Sequence, residues 1–135
     1  MKEFFCNSGF EIAGILNLTG KQALQCIDNG ALLVDVREEY EIAIKDFNAP
    51  GKIFCPFSEF DSLAKTLPAD RSLIVADCTG IHSKEAVRKL LDAGFPKVAN
   101  LAGGIAEWER DGLPMKQSAE SMTGQCPCTM RSRTT

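Results

Sequence analysis

Apolar residues fall into short unbroken runs separated by amphipathic stretches. Ala31-Leu32-Leu33-Val34-Asp35-Val36 and the run from Ser72 to Asp77 are continuous rather than alternating, the pattern of strands covered on both faces. Lys52-Ile53-Phe54-Cys55, closed by Pro56, and Val98-Ala99-Asn100-Leu101 are shorter strand candidates. Helical patterns lie between them. Thr19-Gly20-Lys21-Gln22 has the spacing of a capping box and predicts a helix through Ala23, Leu24 and Ile27 that stops at Gly30. Ser58 is expected to cap a short helix through Phe60, Leu63, Ala64 and Leu67. Ser83 is expected as the N-cap of a helix whose Ala86, Val87, Leu90 and Leu91 share one face, ending at Gly94. Gly103-Gly104 leads into a last short helix, Ile105-Ala106-Glu107-Trp108.

Apolar strands alternating with helices predict an α/β fold: a central parallel sheet of about five strands, helices on both faces and right-handed crossovers. Ligands of such sheets bind at the carboxyl ends of the strands. No element is predicted for residues 1–18. The chain turns polar after Pro114 and loses its periodicity, so residues 116–135 read as a mobile tail and 19–115 as the domain.

Composition narrows the function classes. A chain of 135 residues, 44% apolar and 24% charged, suits one ordinary globular domain. A net charge of −3, with no polybasic segment, gives no reason to expect nucleic acid or a membrane surface. Phe4-Phe5-Cys6 is too short for the apolar core of an export signal, so a cytoplasmic location is expected. Six cysteines would permit a disulfide scaffold on count alone. A chain with its own core does not need one, so each cysteine is read singly. Cys26 and Cys55 lie in apolar settings and read as small core residues. Cys78, Cys126 and Cys128 carry the chemical potential, and Cys6 has no clear place.

The chemistry concentrates where the second buried strand ends. Asp77 is followed by Cys78, Thr79, Gly80, Ile81, His82 and Ser83, a short glycine-containing loop that opens a helix. Convergent loop N–H groups and a helix N-terminus make such a loop an anion cradle. In that geometry the first side chain points inward, so Asp77 would fill the cradle with its own carboxylate and act as the loop-ordering acceptor. Cys78, beside a helix N-terminus and near His82, is a candidate reactive thiol. His82 is the sole histidine and a candidate partner for a thiolate or an anion. Gly80 is expected at positive φ. Asp35 and Arg37 end the first buried strand, and Trp108 reads as a core or interface aromatic.

Four blocks in order then carry a family likeness. They are Leu33-Val34-Asp35-Val36-Arg37-Glu38 with Tyr40; Pro50-Gly51 ahead of the strand that closes at Pro56; Gly80-Ile81-His82-Ser83-Lys84-Glu85-Ala86; and Leu101-Ala102-Gly103-Gly104-Ile105-Ala106-Glu107-Trp108, ending in Gly112-Leu113-Pro114. From Ala31 to Pro114 the chain resembles the rhodanese homology domain. The resemblance implies a three-layer rhodanese-like fold, Asp35 and Arg37 as a structural polar cluster near the site, and small sulfur species or a thiol protein as partners; no cofactor is expected. Members that transfer sulfur hold it as a persulfide on a loop cysteine, in a loop reading Cys-x-x-Gly-x-Arg-Ser. Aligned without a gap, Gly80 and Ser83 match, His82 takes the arginine place, Asp77 takes the nucleophile place, and Cys78 falls one residue late.

Cys126-Pro127-Cys128 supplies a second thiol motif. It suits an easily reduced disulfide, two thiolate ligands for zinc or copper(I), or a tail acting on sulfur held in the cradle. Three functions therefore stand open. One is sulfur transfer through Cys78 or the Cys126/Cys128 pair. The second is a rhodanese-like binding or regulatory module without that activity. The third is a redox or metal relay through the tail.

Overall fold

The computed structural model describes residues 2–117; Cys126 and Cys128 lie outside the described residues. The chain builds a six-stranded sheet from β1 (Phe10–Ile12), β2 (Ile15–Leu18), β3 (Leu32–Asp35), β5 (Ile53–Phe54), β6 (Leu73–Ala76) and β7 (Val98–Leu101), in the order β1-β2-β7-β6-β3-β5. From β2 onward every neighbour is parallel, and β1 pairs antiparallel to β2. The sheet is thus mixed, with six strands against the expected five or so, and two of the six were not among the four runs the pattern placed. The two N-terminal strands are what the sequence reading missed. They are short, and β1 is exposed along its length, so neither presents a long apolar run.

Two helical layers cover the sheet. Alternate strand residues divide between two cores, as side chains on opposite faces must. Leu33, Ile74, Ala99 and Leu101 pack with Ala23, Cys26 and Ile27 of α1 (Gly20–Asp28) and with Ile105 and Trp108 of α5 (Gly104–Arg110). Val34, Val75 and Val98 pack on the other face with Phe60 of α3 (Phe60–Leu63) and with Ala86, Val87 and Leu90 of α4 (Ile81–Asp92). Trp108 belongs to the core. It is fully buried, edge-on to Phe47 at 5.2 Å between ring centroids, and donates its indole N–H to the Pro114 carbonyl at 2.7 Å.

Local signals account for several helix ends. Thr19 and Gln22 form the expected reciprocal capping box, and Gly30 follows α1 at φ +107°. Two caps differ from expectation. The helix after β6 begins at Ile81 with Gly80 as its N-cap, which puts Ser83 inside the first turn, fully buried. Ser58 caps nothing in its own segment; its hydroxyl donates to Glu38 Oε1 at 2.9 Å. In both cases an acidic side chain from elsewhere takes the local N–H groups, a tertiary choice that spacing alone does not reveal. A further pair, β4 (Lys45–Phe47) with β8 (Met115–Gln117), ties the last described residues back onto the domain.

One feature of the strand order positions the site. The link from β3 to β5 runs through the exposed α2 (Glu39–Ile44) and then β4, whose Phe47 lies in the α1/α5 core. The link from β6 to β7 runs through α4 on the opposite face. β3 and β6 are neighbours, so the two links part at their carboxyl ends and leave a crevice, the usual ligand position in open α/β sheets.

Candidate functional site

That crevice is a cleft of about 460 Å³, with Val36, Glu38 and Glu41 on one wall and Asp77, Cys78 and His82 on the other. Tyr40 and Ile81, both well exposed, stand at its mouth.

The loop after β6 is organised around Asp77. Its Oδ1 accepts the Gly80 N–H, and its Oδ2 accepts the N–H groups of His82 at 2.7 Å and Ser83 at 3.2 Å. The Ser83 hydroxyl lies 3.4 Å from Oδ1 and also reaches the Asn100 amide oxygen. The carboxylate therefore fills the ring of amides at the start of α4. It meets the orphan donors of the first turn and sits at the positive end of the helix dipole. The backbone permits this because Gly80 takes φ +98°, in the left-handed region that costs glycine little.

A buried polar line continues from there. Asn100 on β7 donates its amide to Asn17 Oδ1 at 2.8 Å, and Asn17 on β2 donates to the Ile15 carbonyl at 3.0 Å. Asp77, Ser83, Asn100 and Asn17 thus link the ends of three strands and a helix, all buried. The other side of the loop is clamped as well. The carbonyls of Asp77 and Cys78 accept the N–H groups of Ile105 at 2.9 Å and Ala106 at 3.1 Å, from the first turn of α5. Gly104 permits that approach: a Cβ there would stand 2.5 Å from the Asp77 and Cys78 carbonyls.

Cys78 points away from the amide ring. Its Sγ donates to Glu41 Oε2 at 3.0 Å across the cleft, and it is half-buried. Glu41 Oε1 accepts the Glu38 N–H, so the glutamate is held from its own helix. His82 stacks its ring on Phe57, with centroids 5.0 Å apart and planes within 10°. Its backbone N–H, not its imidazole, serves the amide ring. Thr79 is exposed and Ile81 projects at the cleft mouth.

Asp35 and Arg37 form the buried pair expected beside the site. Arg37 donates Nε and Nη2 to the two Asp35 oxygens at 3.0 and 2.9 Å, and Nη1 to the Lys45 carbonyl at 2.8 Å. The guanidinium is fully committed to holding the β3 end and the β4 segment together. Sequence reasoning did not single out Glu41, Phe57 or Asn100. Glu41 lies in an acidic stretch with Glu38 and Glu39, a visible signal whose direction only the fold supplies. Asn100 is one polar residue inside an apolar strand, which marked it as buried and therefore bonded.

A three-layer α/β module, with a strand-end loop that gathers amides at a helix start, is the class of protein these features define. The chain belongs to the rhodanese-like domain family, whose description, "Rhodanese-like domain", matches residues 19–111. It is 34% identical over 84 residues to a sulfurtransferase of Allochromatium vinosum, an overlap covering 62% of this chain and 77% of that protein. It is 30% identical over 97 residues to thiosulfate sulfurtransferase GlpE of Actinobacillus pleuropneumoniae, covering 70% and 87% respectively. Among solved structures, a rhodanese-related protein from Thermoplasma volcanium superposes with a TM-score of 0.67 at 25% identity, covering 76% of this chain and 98% of that one. No helix among the described residues is long and apolar enough to cross a membrane.

Proposed function

We propose that this chain is a rhodanese-like binding module whose strand-end loop does not carry out the usual thiosulfate sulfur transfer. The observation that carries this reading is the Asp77 carboxylate bonded to the N–H groups of Gly80, His82 and Ser83. In the family likeness Asp77 stands where active members place the persulfide cysteine. A carboxylate oxygen forms no persulfide, and its charge opposes thiosulfate at the ring that would otherwise hold it. The cleft beside it is lined by Glu38 and Glu41 and rimmed by Tyr40, Ile81 and Phe57. Acidic walls with an apolar rim suit a neutral or cationic segment of a partner protein better than an inorganic anion.

A second reading rests on Cys78, which opens onto the same cleft. Here the Cys78 sulfur attacks the outer sulfur of a neutral or protein-bound persulfide, the donor S–S bond breaks, the donor leaves as a thiol, and Cys78 carries the persulfide. Glu41 bears on this reading: its carboxylate, 3.0 Å from Sγ, takes the thiol proton as the sulfur attacks but faces any thiolate that persists. The Cys126/Cys128 pair offers a further sulfur, redox or metal site in the same scheme.

Wild-type and Asp77→Cys proteins should be assayed for thiosulfate-to-cyanide transfer, with mass spectrometry after thiosulfate alone. The binding reading expects background activity and no persulfide in wild type. It expects a gain in Asp77→Cys, where a thiol replaces the carboxylate among the amides. Wild-type turnover with a persulfide on Cys78 would replace the first reading by the second.

A further inference from the structure

The N-terminal segment brings a second pair of thiols together on the far side of the domain. Phe5 is fully buried in the same core as Cys26 and Ile27, and so draws Cys6 onto α1. Cys6 is exposed and sits at φ +58°. Cys26 is buried. Asn29, three residues past Cys26, holds the arrangement: its amide donates to the Gln25 carbonyl at 2.9 Å and reaches Cys6 Sγ at 3.7 Å. Both cysteines line one small cavity, which brings an exposed thiol and a buried one to the same opening. Burial first, and the Cys6 thiol second, push Cys26 up to about 12.

A cavity of about 280 Å³ opens onto both cysteines. Arg71 and Lys97 stand on its wall together with Asp70. Arg71 is anchored to the Gly30 carbonyl at 2.6 Å, and Lys97 to the Asp70 carbonyl at 3.1 Å. One exposed thiol, one buried thiol and two fixed cations around a small cavity are the parts of a thiol–disulfide exchange site for an anionic partner.

We propose that Cys6 and Cys26 form a redox-active dithiol that reduces small anionic disulfides entering this cavity. The Cys6 sulfur gives up its proton to solvent and attacks one sulfur of the donor disulfide. The donor S–S bond breaks, a mixed disulfide forms on Cys6, and one donor thiolate leaves and takes a proton. The Cys26 sulfur, deprotonated in turn, attacks Cys6 Sγ. The mixed disulfide breaks, the Cys6–Cys26 bond forms, and the second donor thiolate leaves. Two electrons pass from the protein to the donor, which becomes two thiols, and the protein loses two hydrogens. The buried Cys26 holds its proton tightly, so the second step is the slow one and the mixed disulfide accumulates first. Reopening the bond requires a thiol reductant.

The test uses the full chain and oxidised glutathione as the anionic probe. Tryptic cleavage separates the cysteines, placing Cys6 in the peptide 3–21 and Cys26 in 22–37. Non-reducing mass spectrometry over time should show a glutathione adduct on Cys6, then loss of that adduct into a cross-linked peptide pair. Cys26→Ala should stop at the adduct. Cystamine, a cationic disulfide, should react at Cys6 several-fold more slowly than oxidised glutathione, and added salt should narrow the gap. A wild-type adduct on Cys6 that never closes, or modification confined to other cysteines, would overturn the dithiol. Equal rates for the two probes would overturn the anionic preference. The wild-type time course decides the matter even if Cys26→Ala folds poorly.

Discussion

Replacing Asp77 with asparagine keeps the shape of the side chain and changes only its bonding. The carboxylate presents two acceptor oxygens, one to Gly80 and one to His82 and Ser83. An amide has a single oxygen. Turned toward His82 and Ser83, it keeps those two donors and sets its NH₂ group against the Gly80 N–H. One buried N–H then loses its acceptor, which costs about 1–3 kcal/mol, and the two surviving bonds lose their charge assistance, about 0.5–1 kcal/mol each. The sum is about 2–5 kcal/mol, which for a domain of this size lowers the melting temperature by roughly 10–15 °C. Thermal unfolding followed by circular dichroism measures it directly. Asp77→Ala gives the complementary result. It empties the ring, so sulfate should bind there and raise the melting temperature of the variant, relative to chloride at equal ionic strength, by more than the general salting-out rise seen in wild type. Sulfate at ten times its dissociation constant would stabilise the variant by about 1.4 kcal/mol. A melting temperature for Asp77→Asn within about 2 °C of wild type would refute the claim that this carboxylate organises the loop.

Three more outcomes follow from the same geometry. Gly80→Val should destabilise the fold by about 2–3 kcal/mol, because valine at φ +98° is strained and its Cβ would stand 3.3 Å from the Gly103 nitrogen; urea unfolding measures the loss. Gly104→Ala should cost more than Gly30→Ala by the same measurement. Both sites have positive φ, but the added methyl at Gly104 meets the Asp77 and Cys78 backbone at 2.5 Å, whereas at Gly30 it meets open space. Burial raises the Cys55 thiol from its ordinary 9.0 to about 11, so the folded state keeps that proton more tightly than the unfolded chain. Stability from this group is therefore full below pH 9 and is lost as the pH rises from 9 to 11. Melting temperatures across that range should fall less steeply for Cys55→Ala than for wild type.

The fold class, the loop that bears the candidate site and the expected inward aim of Asp77 were legible along the chain. Its buried strands are continuous apolar runs, its first helix carries a complete capping box, and Gly80 sits where a tight loop needs positive φ. These are local properties, written in residues a few positions apart. Tertiary structure alone decided the partners. Cys78 meets Glu41, 37 residues away, and Ser83 meets Asn100, 17 residues away. Ser58 gives its hydroxyl to Glu38, and Cys6 comes to share a cavity wall with Cys26. The helix starts were misjudged at Ser58 and Ser83 for the same reason. A hydroxyl with free local N–H groups nearby is an N-cap only when no better acceptor reaches them, and here Glu38 and Asp77 do. The short N-terminal strands escaped notice because their burial is supplied by β7 and the rest of the sheet, not by a periodicity of their own. Side chains choose among acceptors by distance in space, and that distance exists only once the sheet order has brought β3 and β6 side by side.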